Sequence, residues 1–252
     1  MPTATINGLK HYFEDAGSGD ALVMIHGAAG SGRGLAQTHM SDLSKSFRVL
    51  IPDLRSMGQS EHVAEIPPSA WVDDMVGLLD HLGIVKAHVY GVSLGARVVL
   101  RFAIDHPGRT LSLIEDAAII AIETAGSASL NARFDVSGMS PDAQDRYRQQ
   151  HGDDWTAVVE NYFNIRNKAE LQEFYNLREL CAKVTAPTLI MRGDIDDPVH
   201  PLAHSIEMRG LIPDSRLAIV PKTGSGVSMG EPEVMRQLIR QFVGDISGVP
   251  VR

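Results

Sequence analysis

The stretch Ala87-His88-Val89-Tyr90-Gly91-Val92-Ser93-Leu94-Gly95-Ala96-Arg97 decides how this chain is read. Its first four residues are a short, mostly apolar run that suits a buried strand, and residues 97–104 read as a helix. Ser93 therefore occupies a forced strand-to-helix turn. Glycines two residues to either side lack the Cβ atoms that would clash where strand and helix approach closely. The hydroxyl is thereby pushed out of the fold, which is the setting a nucleophile elbow needs. Ser93 is the expected nucleophile.

Working outward, short apolar runs at 21–25, 48–51, 111–114 and 188–191 alternate with helix-like segments, as expected of strands buried on both faces of a parallel sheet. Ahead of them, residues 3–6 and 9–15 flank Asn7-Gly8, a dipeptide that readily takes the positive φ values of a type I′ turn, so the chain opens with a hairpin. Trp71, Met75, Leu78, Leu79 and Leu82 recur at helical spacing, with Ser69 placed to cap that helix. Residues 117–186 lack sheet-like runs and read as a helical cap set into a core of residues 1–116 and 187–252. Inside the cap, Trp155, Val158, Val159, Tyr162 and Phe163 form an apolar stripe. Each is read first as packing, although together they could roof an apolar pocket reaching Ser93.

The bulk composition excludes several function classes. At 252 residues and 44% hydrophobic, the chain is long enough for a large α/β domain with an insertion. Its formal net charge of −8 comes without a Lys/Arg cluster, which argues against nucleic acid or an anionic membrane as partner. No basic, apolar leader and no 18-residue apolar run is present, so a cytoplasmic location is expected. Cys181 is the sole cysteine, read as a small buried hydrophobe, and the ten histidines are scattered. No metal and no cofactor is indicated; the expected partner is a small-molecule substrate, and the oligomeric state is open.

Acyl transfer needs donors for the negative charge that develops on the former carbonyl oxygen. His26-Gly27-Ala28-Ala29-Gly30 follows the strand at 21–25 and opens a loop of small residues where amides can face the elbow. Ala28 and Leu94 are the expected pair, with Ala29 the nearest competitor.

Five segments together resemble the α/β-hydrolase superfamily: His26-Gly27, the run from Pro52-Asp53 to Gln59-Ser60, the Ser93 elbow, Gly193-Asp194-Ile195-Asp196 and Glu231-Pro232-Glu233. They occur in the family's order over nearly the whole chain. The resemblance implies an α/β fold, a mostly parallel sheet flanked by helices, with a cap between the sixth and seventh strands. It places the triad acid after the strand that follows the cap and selects Asp196 over Asp194 and Asp197, with Asp116 a minor alternative. A carboxylate there orients an imidazole and stabilises it when protonated. A serine at the elbow disfavours the branches that attack with a carboxylate, the dehalogenases and epoxide hydrolases.

Two departures from the family pattern stand out. Ser56 occupies a position where relatives usually carry glycine. More consequential, aligning Pro221 and Glu231-Pro232 puts Gly224-Ser225 where relatives have a glycine-histidine pair, so Ser225 stands in the place of the base. A neutral hydroxyl cannot take the Ser93 proton near pH 7. His200, His204, His62 and His26 would each need an unusual geometry to substitute and are read as surface or hydrogen-bonding residues; Lys222 would need strong desolvation. The sequence thus predicts a serine hydrolase of small esters or lactones, impaired at Ser225, resembling enol-lactone hydrolases and carboxylesterases in length and motif style. The alternatives are a silent binding or sensory protein and a cofactor-independent lyase or oxygenase on the same fold.

Overall fold

The computed structural model describes residues 2–248 and 251. Strands β1 (Thr3–Ile6) and β2 (Leu9–Ala16) pair antiparallel with Ile6 opposite Leu9. That register leaves Asn7 and Gly8 as a two-residue turn, with φ of 51° and 82°, as the dipeptide predicts. Next come β3 (Ala21–Ile25), β4 (Arg48–Pro52), β5 (Ala87–Val92), β6 (Thr110–Asp116), β7 (Thr188–Gly193) and β8 (Ser215–Val220). The eight strands lie in the order β1-β2-β4-β3-β5-β6-β7-β8, antiparallel at the first two pairings and parallel at the rest. The α/β class with a mostly parallel sheet is what the structure shows. β8 was implied only by the family order, since Ser-Arg-Leu-Ala-Ile-Val is an edge strand with exposed positions and no continuous apolar run.

Helices cover both faces. On one lie α1 (Ala70–His81) and α2 (Leu94–Asp105), whose apolar sides join Val23, Ile25, Val89 and Leu113 in one core. Ser69 stands at the start of α1, but its hydroxyl bonds the Asp73 carboxylate at 2.7 Å and caps no amide, a correction to the cap expected there. The segment between β6 and β7 contributes α3 (Thr124–Arg133), α4 (Pro141–His151), α5 (Trp155–Arg166) and α6 (Ala169–Phe174), and no strand among the described residues. Trp155, Val158, Val159 and Tyr162 are buried in the same core as α2, and Phe163 is half-buried, so the stripe packs. Arg97 and Arg101 of α2 tie the end of the insertion down by donating to the Tyr175 and Phe174 carbonyls at 2.6 and 3.0 Å.

After β7 come α7 (Leu202–Leu211), α8 (Val227–Gly230) and α9 (Pro232–Ser247). α9 packs Met235, Ile239, Phe242 and Val243 against the opposite sheet face, with Leu22, Met24, Val49, Tyr90 and Met191. Loops leaving the carboxyl ends of β3, β4, β5, β7 and β8 converge on one edge, where ligands of open parallel sheets bind.

Candidate active site

β5 ends at Val92 and α2 begins at Leu94, so the chain must reverse at Ser93. It does so with φ 56° and ψ −111°, a conformation that costs about 1–3 kcal/mol for a residue with a side chain. The glycines make the turn possible: a Cβ on Gly91 would stand 2.2 Å from the Gly95 carbonyl oxygen, and one on Gly95 the same distance from that of Ile25. The Ser93 amide is held by the Asp116 carbonyl at 3.1 Å.

An imidazole meets the serine hydroxyl from an unexpected place. His200 Nε2 lies 2.9 Å from Ser93 Oγ, and His200 Nδ1 lies 3.1 Å from each carboxylate oxygen of Asp197. A carboxylate only accepts, so Nδ1 carries the ring proton and leaves the Nε2 lone pair facing the serine hydroxyl. The Val199 and His200 amides both donate to Asp197 Oδ1 at 2.9 Å, closing a tight turn that fixes acid and base together. Burial by itself would raise the Asp197 carboxyl. The His200 and Ser225 side-chain hydrogen bonds, the imidazole's charge and the His200 amide outweigh it and hold the group well below the usual carboxylate range.

This geometry corrects the expected relay. Asp196 does not meet the imidazole: it points outward, accepting from the Leu202 amide at 2.7 Å and from Arg192 at 3.2 Å. Ser225 does sit on the loop after β8, but it supports a histidine and leaves no gap; its Oγ is 3.4 Å from His200 Nδ1, and its hydroxyl donates to Asp197. The constellation expected to lack an imidazole has one within hydrogen-bond distance of Ser93. The signal in the sequence was Asp197-Pro198-Val199-His200, an acid and a histidine three residues apart on the acid loop; the turn that joins them is set by backbone amides and has no composition of its own.

The other candidates have structural posts. His26 donates from Nδ1 to the Gly27 carbonyl at 2.8 Å and accepts the Leu54 amide at Nε2 at 3.0 Å; burial lowers it to about 4, so it is a neutral tie. His62 spans the Asp154 carboxylate and the Gly58 carbonyl, and His204 lies beside Glu123 and Arg178. Lys222 is exposed. Asp116 accepts from Tyr90 Oη and the Val227 and Ser228 amides at 2.8–2.9 Å, anchoring the start of α8. Ser56 holds φ 62° where glycine is usual, and its hydroxyl bonds both the amide and the carbonyl of Val63. Cys181 is buried and free.

The loop of small residues lies against the serine: a Cβ on Gly27 would be 3.6 Å from that of Ser93. Gly30 donates to the Gly27 carbonyl at 3.2 Å across a turn whose third residue, Ala29, has φ 46°. Ala28 is half-buried at its apex. Leu94 opens α2, so its amide has no carbonyl one helical turn back to bond. Behind this loop the buried Asp53 accepts the Gly32 and Gln59 amides at 2.6 and 2.7 Å, with burial pushing it up to about 6. A cleft of about 940 Å³ opens between this region and α4, lined by polar groups including Ser31, Gln59, His62 and His151; Ser93 is not among them. The cavity expected here was apolar and at Ser93.

With strand order and elbow in place, the family is settled by comparison. The sequence profile described as alpha/beta hydrolase fold matches residues 20–148, and the chain belongs to that family. Along 114 residues, covering 42% of this chain and 39% of the other, it is 39% identical to a 2-hydroxymuconate semialdehyde hydrolase of Pseudomonas sp. (strain CF600). Over 95% of this chain and 93% of the relative it is 24% identical to a 2-hydroxy-6-oxononadienedioate/2-hydroxy-6-oxononatrienedioate hydrolase of Comamonas testosteroni. Among solved structures, a meta-cleavage product hydrolase from Pseudomonas fluorescens IP01 superposes with a TM-score of 0.77 at 20% identity, covering 97% of this chain and 98% of that one. Among the described residues no helix is long and apolar enough to cross a membrane.

Proposed function

We propose that the protein is a competent serine hydrolase of small carboxylic esters or lactones, with Ser93 as nucleophile, His200 as base and Asp197 as the acid that orients it. The observation that carries this reading is the 2.9 Å contact between His200 Nε2 and Ser93 Oγ, backed by Asp197 on the other ring nitrogen. As Ser93 Oγ bonds to the acyl carbon, its proton passes to Nε2. The Ala28 and Leu94 amides receive the oxyanion. Collapse breaks the acyl–oxygen bond of the ester, and the imidazolium returns the proton to the leaving alkoxide. A water then gives its proton to His200, attacks the acyl-serine, and releases the acid as the proton goes back to Ser93. Asp197 stays ionised throughout and stabilises the imidazolium.

A second reading is favoured by the names of the relatives, which include hydrolases of oxo-dienoates. The same constellation would then act on a carbon–carbon bond beside a ketone. A panel of p-nitrophenyl esters, lactones and 1,5-diketones separates the two. The proposal as a whole expects ester or ketone hydrolysis by the unmodified protein that is abolished in Ser93→Ala and His200→Ala; hydrolysis surviving His200→Ala would overturn the assignment of the base.

A further inference from the structure

His151, the last residue of α4, reaches out of the inserted helices into the core. Its Nδ1 accepts the Gly58 amide at 2.9 Å, so the ring proton sits on Nε2, which donates to the Ala29 carbonyl at 3.0 Å. The ring is 5% exposed and lies nearly parallel to Tyr147, with centroids 6.1 Å apart and planes at 16°. A second clamp lies beside it: His62 bonds the carbonyl of the same Gly58 at 3.0 Å and the Asp154 carboxylate at 2.7 Å. The chain just after α4 is thus fastened to the loop after β4 by two imidazoles, and one of them continues to the loop after β3.

The peptide plane that His151 touches matters. The Ala29 carbonyl and the Gly30 amide belong to one planar unit. His151 holds its oxygen, and the Gly27 carbonyl holds its N–H at 3.2 Å. Gly27 is itself fixed by the His26 ring at 2.8 Å. The Ala28 amide shares its plane with the Gly27 carbonyl, and the Gly30 hydrogen bond ties that plane to the one His151 holds, so the direction of the amide depends on both. Remove the His151 bond and the strained Ala29, at φ 46°, loses its one described hydrogen bond from outside the loop and keeps only the packing of its methyl group in the core.

We propose that His151 is a positioning residue that makes the aim of the Ala28 amide depend on the seating of the inserted helices, so that the oxyanion site is complete only when α4 is docked on Gly58. The inference rests on the reading of Ala28 as an oxyanion donor and extends it to how that donor is controlled. Burial lowers His151 to about 4, which keeps it in the neutral form that can accept and donate at once.

The test compares His151→Phe, which keeps the ring's bulk, with His151→Gln, which can accept from Gly58 and donate to Ala29. Steady-state ester hydrolysis and the affinity of a trifluoromethyl ketone, which forms an oxyanion on Ser93, are measured for each, after circular dichroism shows the fold is kept. The expectation is a drop in kcat of about 10–100-fold for Phe, KM within about 3-fold, and a loss of ketone affinity that tracks kcat. Gln should recover most of both. Unchanged kcat, or KM rising in step with a fall in kcat and no recovery by Gln, would overturn it. If the unmodified protein hydrolyses none of the panel, amide exchange decides: faster exchange of residues 28–30 in His151→Phe, with β3 unchanged, supports the coupling, and equal exchange refutes it.

Discussion

The loop after β7 and the loop after β8 differ in what they place beside Ser93. The family resemblance assigns the acid to the first and the base to the second, yet here residues 194–200 carry both Asp197 and His200, while residues 221–226 supply only the Ser225 hydroxyl. A relay drawn from two loops depends on the sheet to hold them in register. A relay drawn from one depends on a turn, and Asp197 makes that turn itself by accepting the Val199 and His200 amides. What is conserved by chemistry is the order hydroxyl, imidazole, carboxylate in space; the chain position of each is free.

The largest effects should break or sustain this contrast at the base. His200→Ala is expected to lower kcat/KM for an activated ester by about 10⁴-fold, leaving what the oxyanion donors and binding provide. Ser225→His should then act with opposite sign in two backgrounds. Alone, its ring competes for the space beside Asp197 that His200 fills, and activity falls. In His200→Ala it is the one imidazole near both Asp197 and Ser93, and activity should rise by at least about 10-fold. A gain in the wild-type background, or none in the double variant, would show that the second loop is not the alternative seat of the base.

The acid comes next. Asp197→Asn should cost about 10³-fold or more by leaving the imidazole without its orienting carboxylate, whereas Asp196→Asn, which keeps an acceptor oxygen for the buried Arg192 and for a helix-end amide and touches neither Ser93 nor His200, should stay within about 5-fold. The two neighbours are told apart by kinetics on the single variants. Equal losses would return Asp196 to contention.

Much of this was legible in the sequence. The elbow is readable because Gly91 and Gly95 are required by contacts of 2.2 Å, and steric demands of that kind leave a residue-specific mark. Asn7-Gly8 is readable for the same reason, since positive φ selects it. The pairing of Asp197 with His200 left no such mark: it depends on where the turn after β7 aims two side chains, and Asp196, one residue earlier, fits the family's spacing better. Ser225 was readable as a departure but not as a support, because its partner lies 25 positions away in the chain.

The histidines sharpen the contrast between a working imidazole and a tie. His26, His39 and His151 are each lowered to about 4, chiefly by burial. A base whose folded pKa is depressed below its unfolded value of about 6.5 contributes stability that is present above pH 6.5 and is lost as pH falls toward 4. Each of these histidines should therefore lower the unfolding free energy across that window, by at most about 3 kcal/mol, with uptake of protons on unfolding, while the buried Asp53, pushed up to about 6, works in the opposite direction. His151→Gln should flatten the decline by its share. Profiles of the parent protein and His151→Gln that run parallel from pH 6.5 to 4 would mean that this ring is charged or exposed in the folded protein.

The smallest effect belongs to the Ser225 hydroxyl. Ser225 donates to Asp197 and is one of the groups that hold that carboxyl low, so Ser225→Ala removes one hydrogen bond, worth about 1 kcal/mol, without removing acid or base. Turnover near neutral pH should fall by about 2–10-fold. The direction of the pH effect follows from the sign of the contact: losing a donor leaves more uncompensated negative charge on the still-ionised Asp197 facing the imidazole, which favours the charged form of the relay, and the acid limb of kcat/KM moves upward. Ser225→Thr keeps the hydroxyl and should leave that limb near its original place. An acid limb that moves down, or that moves equally in Ala and Thr, would mean that the hydroxyl does not support the relay and that the loop after β8 contributes nothing but its backbone.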